Sequence, residues 1–104
     1  MFEKEKRYSF RQGLPKKVIP TPYFTFRFAD AKTESGTNAV VVSKKVSKKA
    51  VVRNKIKRKA LAVLKESLAQ KEQSYDIVIY IKPQKEEFDN DLLEKYLKEC
   101  IEKI

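Results

Sequence analysis

Residues Ala39 to Ala69, AVVVSKKVSKKAVVRNKIKRKALAVLKESLA, decide the fold. The stretch opens with Ala39 to Ser43, an apolar and β-branched run with the composition of a strand buried on both faces or nearly so. From Ser47 to Gln70 neither proline nor glycine interrupts the chain, and apolar residues recur at helical spacing. The pattern predicts one long helix over about Lys48 to Ala69, with Ser47 as its N-cap. Between the two lies Ser43 to Lys59, which holds nine lysines and arginines and no acid, in a chain of net charge +10. A solvated helix face normally mixes both signs of charge. One that is purely cationic attracts a polyanion, and nucleic acid is the polyanion for which basic side chains supply the dominant contacts.

The long helix divides its faces. At about 100° per residue, Val52, Ile56, Ala60 and Val63 fall on one side, while Arg53, Asn54, Lys57 and Arg58 fall within an arc of roughly 140° on another. Two turns later Leu61, Leu64 and Leu68 occupy that same arc, so a cationic face at the start of the helix becomes core at its end. Arg53 and Arg58 can fork onto phosphate, whereas lysines act as mobile point charges. Asn54 both donates and accepts, and so can meet a base, a ribose or a phosphate. Lys44 and Lys45 extend the patch back onto the strand, and Lys48, Lys49 and Lys55 complete the candidate nucleic-acid-binding set.

Upstream, Tyr23 to Ala29 alternates Phe24, Phe26 and Phe28 with Thr25 and Arg27, the period-two pattern of a half-buried strand. Asp30 to Asn38 is polar with a central glycine and reads as a hairpin loop. Residues 1–22 are irregular or form a short helix lined by Phe2, Tyr8 and Phe10, because Gly13, Pro15, Pro20 and Pro22 interrupt any helix beyond Phe10. Downstream, Tyr75 to Ile81 is a third strand closed by Lys82 and Pro83. Asp89 or Asn90 then caps a C-terminal helix whose Leu93, Leu97, Cys100, Ile101 and Ile104 share one stripe. Cys100 reads as a small core residue, and the acids around that helix start suit its dipole. The order is strand, strand, long helix, strand, helix: a two-layer α/β sandwich with helices packed on a small sheet.

Composition narrows the chemistry. A chain of 104 residues makes one domain, here 1–104. No apolar run approaches the ~20 residues that span a bilayer, and the N-terminus lacks the apolar stretch of a secretory signal, so the expected location is the cytoplasm, with no membrane partner. A single cysteine allows no internal disulfide and fits a reducing compartment. With no histidine, Ser-His-Asp and Cys-His catalysis are both out of reach, and so is a zinc site of the usual kind. The two glycines, Gly13 and Gly36, lie too far apart to cradle a phosphate. The expectation is no catalytic residue and no metal held by the protein itself.

Val42-Ser43-Lys44-Lys45-Val46, followed by Ala50-Val51-Val52-Arg53-Asn54-Lys55-Ile56-Lys57-Arg58, resembles the signature of the bacterial ribonuclease P protein subunit family: a strand ending Ser-Lys-Lys, then a helix opening Ala-Val-x-Arg-Asn-Arg-x-Lys-Arg. Tyr75 to Ile79 with Pro83 beyond is similar to the family's last strand, so the resemblance runs from about Phe24 to the C-terminus. Lys55 replaces the motif's second arginine, keeping the charge and losing the planar fork. The proline-rich N-terminus departs from the family's first helix, and Phe10 matches it only loosely.

The resemblance implies a ribosomal protein S5 domain 2-like α+β fold: a mixed sheet, the long basic helix in a left-handed βαβ crossover, and a C-terminal helix, against the usual right-handed rule. It also implies a role as a non-catalytic subunit, a monomer in its complex with ribonuclease P RNA. There it supports 5′-end maturation of precursor tRNA, with magnesium ions bound mainly by the RNA performing the hydrolysis. The family's leader cleft lies on the sheet, where aromatic rings can stack single-stranded bases; Tyr23, Phe26 and Tyr80 are the candidates. A ribosomal or other structural RNA-binding protein is the alternative. A DNA regulator lacks a helix-turn-helix pair here, because a strand precedes the basic helix. An independent nuclease lacks clustered carboxylates.

Overall fold

The computed structural model describes residues 15–31, 36–84 and 88–104. These form β1 (Lys17–Pro20), β2 (Phe24–Asp30), β3 (Asn38–Val41), α1 (Ala50–Leu68), β4 (Tyr75–Ile81) and α2 (Asn90–Glu102). The four strands make one sheet in the order β1-β2-β4-β3. β1 and β4 each run antiparallel to β2, while β3 runs parallel to β4. A parallel neighbour requires a crossover, and α1 supplies it between β3 and β4.

β4 is the most apolar strand and takes the centre. Ile77, Val78 and Ile79 are all fully buried, a pattern that only a strand with neighbours on both sides sustains. Register then sorts the side chains. Ile19, Phe26, Ile79 and Val40 lie opposite one another across all four strands, and Phe24 opposes Ile81. These residues face the helices, where they meet Ile56, Ala60, Val63 and Leu64 of α1 and Leu93, Leu97, Cys100 and Ile101 of α2. The alternate rows, Val18–Arg27–Val78–Ala39 and Pro20–Thr25–Tyr80–Val41, occupy the opposite face.

Several sequence expectations are corrected. Asp30 to Asn38 does not close a hairpin, because β4 lies between the two strands that this segment joins. Local pattern favoured the hairpin; the stronger apolarity of β4 wins the central place. β3 is an edge strand, its residues alternating between buried and half-buried, rather than a strand buried on both faces. Within 1–22, Lys17–Pro20 is a strand despite its flanking prolines, and the edge position explains it: Pro20 has no N–H to donate, and an edge strand leaves half its backbone groups outside the ladder. Phe2, Tyr8 and Phe10 lie outside the described residues.

Local contacts fix the turns. Gly36 has φ of 69°, and a Cβ there would run into the Tyr75 carbonyl oxygen, so backbone conformation and close approach both require glycine. Thr37 donates from its N–H and its hydroxyl to the Asp76 carboxylate, each at 2.9 Å, tying the start of β3 to β4. Beyond β4, the Lys82 N–H donates to Tyr23 O at 2.8 Å, and Tyr23 stacks on Phe88 and Tyr96 with centroids 4.9 and 5.6 Å away. α2 begins as expected: the Asp89 carboxylate accepts from the N–H groups of Asp91 and Leu92 at 2.9 and 3.3 Å. Cys100 is buried, and desolvation raises its thiol pKa to about 11, which makes it core rather than reagent.

Candidate nucleic-acid interface

α1 begins at Ala50, two residues later than expected, and its N-cap is Lys49, which makes no side-chain cap bond. The first helical hydrogen bond runs from Arg53 N–H to Lys49 O at 3.1 Å. Ser47 is therefore not the cap. Its hydroxyl instead accepts from Lys49 N–H at 3.2 Å, ahead of the helix rather than within its first turn. Ahead of it, the Val46 N–H donates to Ser43 O at 3.1 Å, closing a turn over Lys44 and Lys45. The segment between β3 and α1 is thus a folded basic loop.

The helix presents its cations as the wheel predicted, with one exception. Asn54, Lys55, Lys57 and Arg58 are exposed, as are Lys44, Lys45, Lys48 and Lys49. Arg53 is half-buried, and its Nη1 donates to Ser47 O at 2.9 Å and to Lys48 O at 3.0 Å. One nitrogen of the expected phosphate fork is already committed to the protein's own backbone. Ile56, Ala60, Val63 and Leu64 turn inward, and Leu61 takes the cationic arc into the core two turns on.

Charge pairing sharpens the boundary of this surface. Among the described residues, the salt bridges are Lys59–Glu94 at 2.7 Å and Lys98–Glu94 at 3.1 Å. The Lys59 hydrogen bond, followed by that of Lys98, holds the Glu94 carboxyl below the usual carboxylate range, and Glu94 in turn raises Lys59. Lys59 is therefore spent on α2. No acid among the described residues pairs with the cations from Lys44 to Arg58, and that unpaired set is what a polyanion would meet.

The three aromatic candidates separate. Phe26 is 0% exposed and faces the helices, because the alternation of β2 turns its phenylalanines to that side. Tyr23 is 8% exposed, enclosed by Phe88 and Tyr96 where the chain leaves for α2. Neither offers a free ring face. Only Tyr80 lies on the face away from the helices, half-buried between Thr25 and Val41. Sequence reasoning passed over Arg27, which shares that face one row along and donates from Nη1 to Pro15 O at 3.3 Å. The signal was present in its alternation with Phe26 and Phe28. No three His, Cys, Asp or Glu side chains among the described residues come together to hold a metal. An open groove of about 420 Å³ lies between the far end of α1 and α2, lined by Glu66, Lys71, Lys98 and Glu102 among others, and its mixed charges oppose a polyanion.

Comparison with known proteins agrees with the resemblance in the helix motif. The sequence model of the family described as Ribonuclease P matches residues 3–104. The ribonuclease P protein component of a Cyanothece species is 39% identical over 62 residues, and that of a Synechocystis species 40% identical over 55. These alignments cover 60% and 53% of the chain, and span 47% and 44%, about half, of the relatives' own lengths. In structure, the fold is similar to that of the RNase P protein from Thermotoga maritima, with TM-score 0.74 and 21% identity over 94% of this chain and 96% of that one. A mutant of the Staphylococcus aureus RNase P protein superposes with TM-score 0.75 and 19% identity, covering 95% and 87% of the two chains. No described helix is long and apolar enough to cross a membrane.

Proposed function

The chain belongs to the ribonuclease P protein family, and from that premise we propose that it is the protein subunit of a ribonuclease P ribonucleoprotein, supporting removal of the 5′ leader from precursor tRNA in the cytoplasm. The observation that carries this reading is the run of cations from Lys44 to Arg58, paired with no acid among the described residues and gathered on one loop and the first turns of one helix. Lys44, Lys45, Lys48, Lys49, Asn54, Lys55, Lys57 and Arg58 meet phosphates of the RNA subunit there. Each contact releases condensed counterions, which supplies affinity and makes it salt-dependent. Arg58 is free to fork bidentately, and Asn54 beside it can read a ribose or a base edge.

The precursor's leader is a single strand, and single strands are held by stacking their bases and neutralising their backbone. Tyr80 supplies a ring on the face opposite the helices, and Arg27 a neighbouring cation. The protein's residues bind and orient; none is assigned a bond-breaking step. Magnesium held by the RNA supplies the hydrolytic chemistry in this reading. The test is sequencing of RNA that copurifies with the tagged protein. Enrichment of a ribonuclease P RNA together with precursor tRNA is the expected result. Recovery of ribosomal RNA alone contradicts the proposal and favours a ribosomal protein.

A further inference from the structure

Arg53 belongs to the cationic arc by sequence, yet among the described residues the fold puts its side chain to internal use. Its Nη1 bridges two consecutive carbonyls, Ser47 O at 2.9 Å and Lys48 O at 3.0 Å. Those oxygens lie just before the helix, where no backbone N–H among the described residues reaches them, since the helical ladder starts at Lys49 O. The same segment contains the Ser43–Val46 turn and the Ser47 hydroxyl bond to Lys49 N–H. It also carries four exposed lysines, Lys44, Lys45, Lys48 and Lys49, and no glycine or proline to stiffen or shape it. Like charges so close repel one another, and without an internal tie the loop would spread.

Resting on the RNA-binding reading above, we propose that Arg53 is a positioning residue for the basic loop: it clamps Ser47 and Lys48 onto the first turn of α1, so that the loop lysines and the helix cations form one preordered surface. The charge on the guanidinium makes these hydrogen bonds stronger than neutral ones and places a cation beneath two carbonyl dipoles. Ordering even one backbone residue shifts an equilibrium constant on the order of tenfold. A loop already ordered in the free protein binds RNA without that loss. Arg53 and Arg58 carry equal charge on neighbouring turns, but only Arg53 has this second role, and the difference between them isolates it.

The test compares Arg53→Ala, Arg53→Lys and Arg58→Ala. In free protein without RNA, ¹⁵N backbone relaxation reports order at residues 44–49, and circular dichroism melts report the fold. Arg53→Ala lowers the order of 44–49 alone, while Arg58→Ala leaves it unchanged. Arg53→Lys keeps the charge on a side chain one bond shorter, so order falls there too, and this variant carries the test if the alanine variant fails to fold. Titration with ribonuclease P RNA across salt concentrations gives the second readout. Arg53→Ala loses on the order of tenfold more affinity than Arg58→Ala at every salt concentration. Arg53→Lys keeps the wild-type salt slope but not the wild-type affinity. Unchanged order at 44–49 in the Arg53 variants overturns the clamp, as do equal affinity losses in the two alanine variants. Loss of order with RNA affinity unchanged in every variant, Arg58→Ala included, contradicts the RNA-binding reading instead, and with it the link from loop order to affinity.

Discussion

Arg58 carries its charge at the surface with no acid beside it among the described residues, which makes it the cleanest probe of the polyanion contact. Arg58→Ala should weaken RNA binding and reduce the slope of log affinity against log salt by close to one contact, about 0.7–0.9. The melting behaviour should move little, because exposed positions away from special features usually change stability by less than about 0.5 kcal/mol. Filter binding at several salt concentrations, beside thermal melts, checks both halves. Tyr80 and Phe26 make the matching pair on the sheet. Tyr80→Ala should cost about 1–3 kcal/mol of affinity for a precursor tRNA with a leader and nothing for one without. Phe26→Ala should instead cost about 3–5 kcal/mol of stability, since its ring is wholly inside the core. If Tyr80→Ala affects both RNAs equally, the leader does not run over that face.

At the scale of elements, α1 and α2 are tied by Glu94, which holds Lys59 at 2.7 Å and Lys98 at 3.1 Å. The pKa of Glu94 is lowered in the folded state, so its contribution to stability is present above the ordinary carboxylate range and lost as pH falls through the lowered value. Lys59 is raised, so its share is full below the ordinary lysine range and fades only as pH climbs through the raised value. The stability gap between wild type and Glu94→Gln should therefore be present at neutral pH, close in acid, and shrink with added salt because the pair is solvent-exposed. Thermal melts across pH measure it. A gap that persists in strong acid contradicts the ion-pair origin.

The elements themselves were legible to different degrees, for physical reasons. β4 from Tyr75 to Ile81 and the capping by Asp89 matched the expectation, because a long apolar run and an Asp-led helix start are local signals. The divided faces of α1 were legible too, since helical periodicity alone fixes which side chains share a side. β1 was not, because its prolines speak against a strand unless its edge position is known. Strand order was legible only through the resemblance, whose βαβ crossover makes β3 and β4 parallel neighbours; local pattern alone joined β2 to β3 as a hairpin, because pairing is a contest between distant segments. The site shows the same division. The cations were visible as residues, but the clamp of Arg53 on Ser47 and Lys48 was not, since a wheel places a side chain without saying what its far end touches. Tyr23 and Phe26 stood only as candidates for the cleft, and both are buried, because aromatic character alone does not say which face of a strand is covered.

For the molecule as a whole, charge is segregated. Cations from Lys44 to Arg58, on the β3–α1 loop and the first turns of α1, pair with no acid among the described residues, while the second half of α1 and the stripe of α2 close the core beneath the sheet. Such a body can lower the repulsion between RNA phosphates, and among the described residues it brings no clustered acid, histidine or accessible thiol of its own to a hydrolysis. The central claim is that the protein assists a catalytic RNA and does not cut. It is tested most directly by a cleavage assay on precursor tRNA at low magnesium, with RNA-free protein, ribonuclease P RNA alone, and the two together. The account predicts no cleavage by the protein, slow cleavage by the RNA, and fast cleavage by the mixture, with the advantage narrowing as magnesium rises and takes over charge neutralisation. Robust cleavage by the RNA-free protein, or a mixture no faster than the RNA alone at low magnesium, would contradict it.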